Sequence, residues 1–186
     1  PSAAAVRNAT VTVNTNDGDE AAYDFAVRGT GIGVPEIDML GNGNSIADGD
    51  VTPSVTDDTD FANVNLGSND VHTFTIDNTA GTAALTVSSV NVSGANAGDF
   101  VRGAFPASIA AGATGNFTLT FTPSAAAVRN ATVTVNTNDG DEAAYDFAVR
   151  GTGLSGLPSC ITFSAPVGTT NTWMGCVDSD WSNGAN

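Results

Sequence analysis

The sequence predicts an all-β protein, a β-sandwich of about seven strands in a tandem array, flanked by partial domains. Three observations predict it. Residues 1–31, PSAAAVRNATVTVNTNDGDEAAYDFAVRGTG, recur without a change at 123–153, an offset of 122 positions. Between the copies run short segments in which apolar and polar residues alternate, the period of a strand with one wet face. No stretch carries apolar residues at helical spacing, while Gly, Thr, Asn, Ser and Val are abundant, a composition suited to strands and turns.

The repeat organises the chain. Surface positions tolerate change within about half a kcal/mol, so a shared fold alone does not keep 31 residues identical. Recent duplication in a repeat array does. Pro1 matches Pro123, which follows the strand-like segment 116–122 in the middle of a unit. Residues 1–32 are therefore expected to be the C-terminal half of a preceding repeat. Two strands alone are marginal in water, so this half is expected to need its missing partner from a longer parent or another molecule.

Residues 33–153 read as one complete unit. The segment 41–60 is polar, loop-like and rich in acids. Strands are predicted at 61–66, 71–77, 84–92, 99–103, 116–122, 131–137 and 143–150, and seven strands at this spacing suggest a sandwich. The alternation is clearest where Phe117, Leu119 and Phe121 share one face and Thr118, Thr120 and Thr122 lie on the other. Val133 and Val135, then Tyr145, Phe147 and Val149, continue it. Between them Asn138-Asp139-Gly140-Asp141 supplies residues that tolerate the left-handed backbone of a tight hairpin. Residues 154–186 are read as the start of a different, truncated module containing Trp173 and Trp181. Cys160 and Cys176 in this tail enclose a loop of fifteen residues that a disulfide could close, a pairing suited to an exported protein.

Several residues together carry a family resemblance: Phe74-Thr75-Ile76-Asp77-Asn78-Thr79, Leu85, Gly94, Asp99-Phe100, Ile109 with Gly112, Phe121-Thr122-Pro123, Arg129-Asn130-Ala131, Asn138-Asp139 and the closing Gly151-Thr152-Gly153. In these the unit resembles the choice-of-anchor D type of module, related to the Hydin-type immunoglobulin-like domains. The resemblance covers about 71–153 and again 1–31. It implies an immunoglobulin-like sandwich belonging to a large secreted bacterial protein, a surface adhesin or a multidomain exported enzyme in which such modules act as spacers or binding segments.

Charge and residue chemistry narrow the function. Twenty acidic residues face five basic ones, a net charge of −15 that repels nucleic-acid phosphates and anionic headgroups alike. No apolar run approaches the roughly 20 residues of a membrane span, so neither nucleic acid nor membrane insertion is expected. The chain has no lysine, which excludes Schiff-base chemistry and a P-loop. His72, the single histidine, sits in a predicted strand with Phe74 and Ile76 and reads as a strand residue, not as a catalytic base. Gly29-Thr30-Gly31-Ile32-Gly33 follows a strand without opening a helix and fails as a nucleotide loop. The expectation is therefore a chain without catalytic residues or a certain cofactor.

Calcium is the candidate ligand, since hard cations take six to eight oxygens from flexible acidic loops. Its first candidate site is Asp48, Asp50, Asp57, Asp58 and Asp60. A second is the hairpin Asp139, Asp141 and Glu142, repeated at Asp17, Asp19 and Glu20. The function expected is that of a structural and adhesive repeat segment at the bacterial cell surface, forming a rod or filament. Its partners would be neighbouring repeats, or another copy by strand addition. The alternative is an accessory or spacer module, able to bind carbohydrate, in a multidomain exported hydrolase.

Overall fold

The computed structural model describes residues 5–156. The chain divides into two units, Pro1–Ser155 and Gly156–Asn186, and the described residues lie almost wholly in the first. The predicted disulfide of Cys160 and Cys176 and the Trp-containing module fall outside the described residues.

The first elements are β1 (Val6–Asn14) and β2 (Ala22–Thr30), an antiparallel hairpin that forms a two-stranded sheet of its own. Ten further strands follow: β3 (Asp38–Gly41), β4 (Asn44–Ile46), β5 (Asp60–Asn65), β6 (Asp70–Asp77), β7 (Leu85–Ser93), β8 (Phe100–Arg102), β9 (Ser108–Ile109), β10 (Thr114–Phe121), β11 (Val128–Thr137) and β12 (Ala144–Leu154). They make two five-stranded sheets, ordered β4-β3-β6-β10-β8 and β5-β12-β11-β7-β9. Neighbours are antiparallel except β5, which lies parallel to β12 at the sheet edge. The protein is all-β, and the unit that follows the hairpin is an immunoglobulin-like β-sandwich.

Alternation in the sequence becomes the two faces of each sheet. Phe117, Leu119 and Phe121 of β10 and Val133, Val135, Tyr145, Phe147 and Val149 of β11 and β12 are all buried. The sheets meet through their rings, with Phe74 and Phe147 centroids 5.4 Å apart and Phe61 against Phe121 at 5.7 Å. Each of the seven predicted strands is present, with ends shifted by a few residues. The segment 41–60 holds more order than its polarity suggests. Asn42 and Gly43 both take left-handed φ, 50° and 76°, the geometry of a two-residue hairpin turn. That turn folds β4 back on β3 and carries Ile46 into the core.

Buried polar groups tie the loops to this core. Asn78, fully buried, donates from Nδ2 to the carbonyls of Ala83, Ile109 and Ala110 and accepts from the Glu36 amide at Oδ1. Asp99, 5% exposed, receives the Arg129 guanidinium and the Ser124 amide. Burial by itself raises the Asp99 pKa, but these donors outweigh it and hold the carboxyl below its usual range. The Tyr145 hydroxyl donates to the Ile46 carbonyl at 2.5 Å; burial, then the charge of Asp38, push its ionisation far up.

The chain enters and leaves the sandwich at opposite ends. The Ile37 amide donates to Asp139 Oδ2 at 2.8 Å, beside the turn that joins β11 to β12. Leu154 closes β12 at the far end, where its carbonyl accepts the Leu66 amide. The eleven residues of β12 separate these points by about 35 Å at 3.3 Å per residue.

Candidate functional site

Two surfaces stand out, an acidic cluster where the chain enters the sandwich and the open face of the first hairpin. The cluster is built by the β11–β12 turn and the segment that leads into β3. Glu36, Asp139 and Asp141 place one carboxylate oxygen each within 4.8 Å of one another. Asp139 is almost wholly buried and fixed by the Ile37 amide, while Glu36 and Asp141 are exposed. Burial first, then the charges of Asp48, Asp139, Glu36 and Asp141, raise the pKa of neighbouring Glu142. This end of the sandwich is a concentration of negative charge, with oxygens of the kind a hard cation takes.

The five aspartates of the first candidate calcium site are distributed differently. Asp48 Oδ1 accepts the Asp146 amide, and Asp50 Oδ1 accepts the amide and hydroxyl of Thr52. Asp57 Oδ1 holds Thr59 in the same way. Asp58 has φ 59° and offers its carbonyl to His72 Nδ1 at 2.6 Å. Asp60 accepts the Ala62 amide and pairs with Arg150. The group of three that the fold gathers among the described residues is Glu36, Asp139 and Asp141. Of the second candidate hairpin it includes Asp139 and Asp141, and it adds Glu36. Sequence reading missed Glu36 because it lies more than a hundred positions from Asp139 and Asp141, with only its acidity as a signal.

His72 is committed to packing. Its ring stacks on Phe61 at 4.0 Å between centroids, Nδ1 meets the Asp58 carbonyl, and Nε2 lies 3.3 Å from Asp70.

The second surface follows from the repeat. β1 and β2 pair in the register of β11 and β12, Val6 opposite Thr30 through Asn14 opposite Ala22, matching Val128 opposite Thr152 through Asn136 opposite Ala144. Identical sequence has folded to a hairpin of identical register. Its surroundings differ completely. Val11, Val13, Tyr23, Phe25 and Val27 are 38–56% exposed, whereas their counterparts Val133, Val135, Tyr145, Phe147 and Val149 are 0–3% exposed. A Cβ on Gly151 would lie 2.3 Å from the Phe121 ring, and one on its copy Gly29 would meet nothing within 4 Å.

No family model matches the chain, and no curated protein matches it. Solved structures do. The chain is similar to the secreted serine protease VesC from Vibrio cholerae (13% identity, TM-score 0.40), over 50% of this chain and 21% of that one. It is similar to a protein of unknown function from Porphyromonas gingivalis W83 (11%, TM-score 0.48), over 79% and 65%. A third is the ASH/PapD-like domain 7 of human CEP192 (14%, TM-score 0.38), over 53% and 82%. The chain thus spans about a fifth and just under two thirds of the first two. At these identities a likeness concerns the fold alone, and at these TM-scores none of the three bears on function.

Proposed function

We propose that this chain is a structural and adhesive repeat segment of a large secreted bacterial surface protein, built from units of the choice-of-anchor D type and extended as a rod. Its partners are neighbouring repeats, and it carries no catalysis, nucleic-acid binding or membrane insertion of its own. The observation that carries the reading is the placement of the two points where the chain enters and leaves the sandwich. The sandwich is entered beside the β11–β12 turn and left about 35 Å away at Leu154, so successive units add end to end. Each unit then contacts mainly its neighbours, and length grows by duplication without a redesigned core. The unchanged copy at 1–31 and 123–153 is the record such growth leaves.

The lone histidine, bound by packing and hydrogen bonds, and the pairing of buried Asp99 with Arg129 favour a structural role over a catalytic one. Electron microscopy of the native full-length material tests the reading. Unbranched rods about one domain wide, with an axial repeat of roughly 40 Å, are expected. Compact particles without a repeat would overturn it.

A further inference from the structure

We propose that the sandwich is a tension-bearing link, in which β3 and β12 take a pull along the chain in shear and residues 34–37 form the clamp that passes it to both sheets. This role rests on the end-to-end reading above and goes beyond it. In such an array an external pull travels along the chain and passes through each sandwich in turn.

The direction of the two loaded strands decides how they resist. β3 runs antiparallel to β6 with Asp38 opposite Asp77, and Asn78, next in the chain, holds the entering segment. β6 begins at the other end, where Asp70 lies opposite Phe121 and the Phe121 ring packs against Gly151 of β12. β3 therefore runs from the entry end towards the exit end. β12 runs the same way, from Tyr145, whose hydroxyl is 3.3 Å from Asp38, to Leu154. The chain arrives at the first residue of β3 and departs from the last residue of β12, so a pull slides each strand lengthwise along its neighbours. Antiparallel ladder hydrogen bonds lie across the strands. Sliding loads all of them together, whereas a pull across the strands opens them one at a time.

The two strands are not equally well seated. β12 has nine registered pairs with β11 and four with β5, while β3 has four with β6. The segment before β3 makes up the difference. The Val34 amide donates to the Thr82 hydroxyl, and the Val34 carbonyl accepts the amides of Thr82 and Ala83. The Glu36 amide donates to Asn78 Oδ1 at 3.0 Å and the Ile37 amide to Asp139 Oδ2 at 2.8 Å. Asn78 follows a strand of one sheet and Asp139 lies in the turn between two strands of the other, so the clamp fastens the entering chain to both. These two side chains are 0% and 3% exposed. Water does not compete for their bonds, which hold a fixed geometry at the point where the load arrives.

The experiment holds the full-length chain between two handles at constant force and reads the lifetime of the folded sandwich. With the handles at the two ends of the chain, rupture should release residues 37–154 in one step, a contour gain of roughly 380 Å. Asp139→Ala should shorten the lifetime about tenfold. Asp139→Asn, which keeps an acceptor oxygen for the Ile37 amide, should restore it. Should Asp139→Ala fail to fold, Thr82→Val removes the exposed hydroxyl that accepts the Val34 amide and should shorten the lifetime about threefold.

A second geometry tests the shear path. Moving one handle to Gly140→Cys, in a Cys160→Ser/Cys176→Ser background, pulls the entering segment against the turn beside it and peels the sheets from one end. A Cβ on Gly140 meets nothing within 4 Å. At the same force the lifetime should fall at least about a hundredfold. Equal lifetimes in the two geometries overturn the shear path, and wild-type lifetimes for both Asp139→Ala and Thr82→Val overturn the clamp. Rods whose units rupture alike in both geometries would remove the tension role and leave the rod. Shear resistance in material that forms no rods would leave the load path and remove the rod.

Discussion

Replacing Phe147 by alanine should cost the sandwich far more than the same replacement at Phe25, although the two phenylalanines sit in identical sequence. Phe147 is fully buried and meets Phe74 at 5.4 Å, so its loss removes transfer free energy and leaves a cavity, together about 3–5 kcal/mol. Phe25 is 43% exposed on a hairpin that shares no core, and its loss should fall within about 0.5 kcal/mol of neutral. For a domain of this size a urea slope of about 2 kcal/mol/M converts the first figure into a midpoint lower by roughly 1.5–2.5 M. Circular dichroism of both variants across a urea titration reads the two shifts. Equal shifts, or a larger one for Phe25→Ala, would refute the assignment of core to one copy and open face to the other.

Removing Asp99 by Asp99→Ala strands the partly buried guanidinium of Arg129 and should cost about 3 kcal/mol, measured by urea unfolding. The Asp99 pKa is depressed in the folded state. Its contribution is therefore present above its ordinary value of 3.8 and is lost as pH falls through that value and below, so the variant should show a flatter acid limb. Glu142 has the opposite sign. Its raised pKa means a penalty that grows as pH rises above 4.5. Glu142→Gln should stabilise at neutral pH by no more than about 0.5 kcal/mol, a gain absent in acid, and thermal unfolding at two pH values checks it. Asn78→Ala removes the side chain that holds the Ala83, Ile109 and Ala110 carbonyls and the Glu36 amide, of which the Ala110 carbonyl keeps the Ala113 amide, and should cost about 3 kcal/mol, read as a lower denaturation midpoint.

The strands were legible where one face is core and the other wet. Phe117, Leu119 and Phe121 against their threonines fix both the element and its register. β3, β4 and β9 were not, since strands of two to four residues give no period to read. The Asn42-Gly43 turn, between Met39-Leu40 and Ile46, was the available signal. The aspartates of 48–60 resemble a cation loop by density, yet Asp50-Val51-Thr52 and Asp57-Asp58-Thr59 are aspartates that cap residues two positions on. The pairing of Asp99 with Arg129 and of Glu36 with Asp139 arises between distant elements, which no local pattern encodes. The hairpin of residues 1–31, in contrast, was implied by the repeat alone.

The account's central claim, that one sequence is core in its second copy and open surface in its first, is tested most directly by amide hydrogen exchange. NMR of the full-length chain, with one copy of the repeat isotope-labelled at a time, separates the two. The hydrogen-bonded amides of β11 and β12 should exchange only through global unfolding, about a thousand-fold or more slower than those of β1 and β2. Comparable protection in both copies would contradict it.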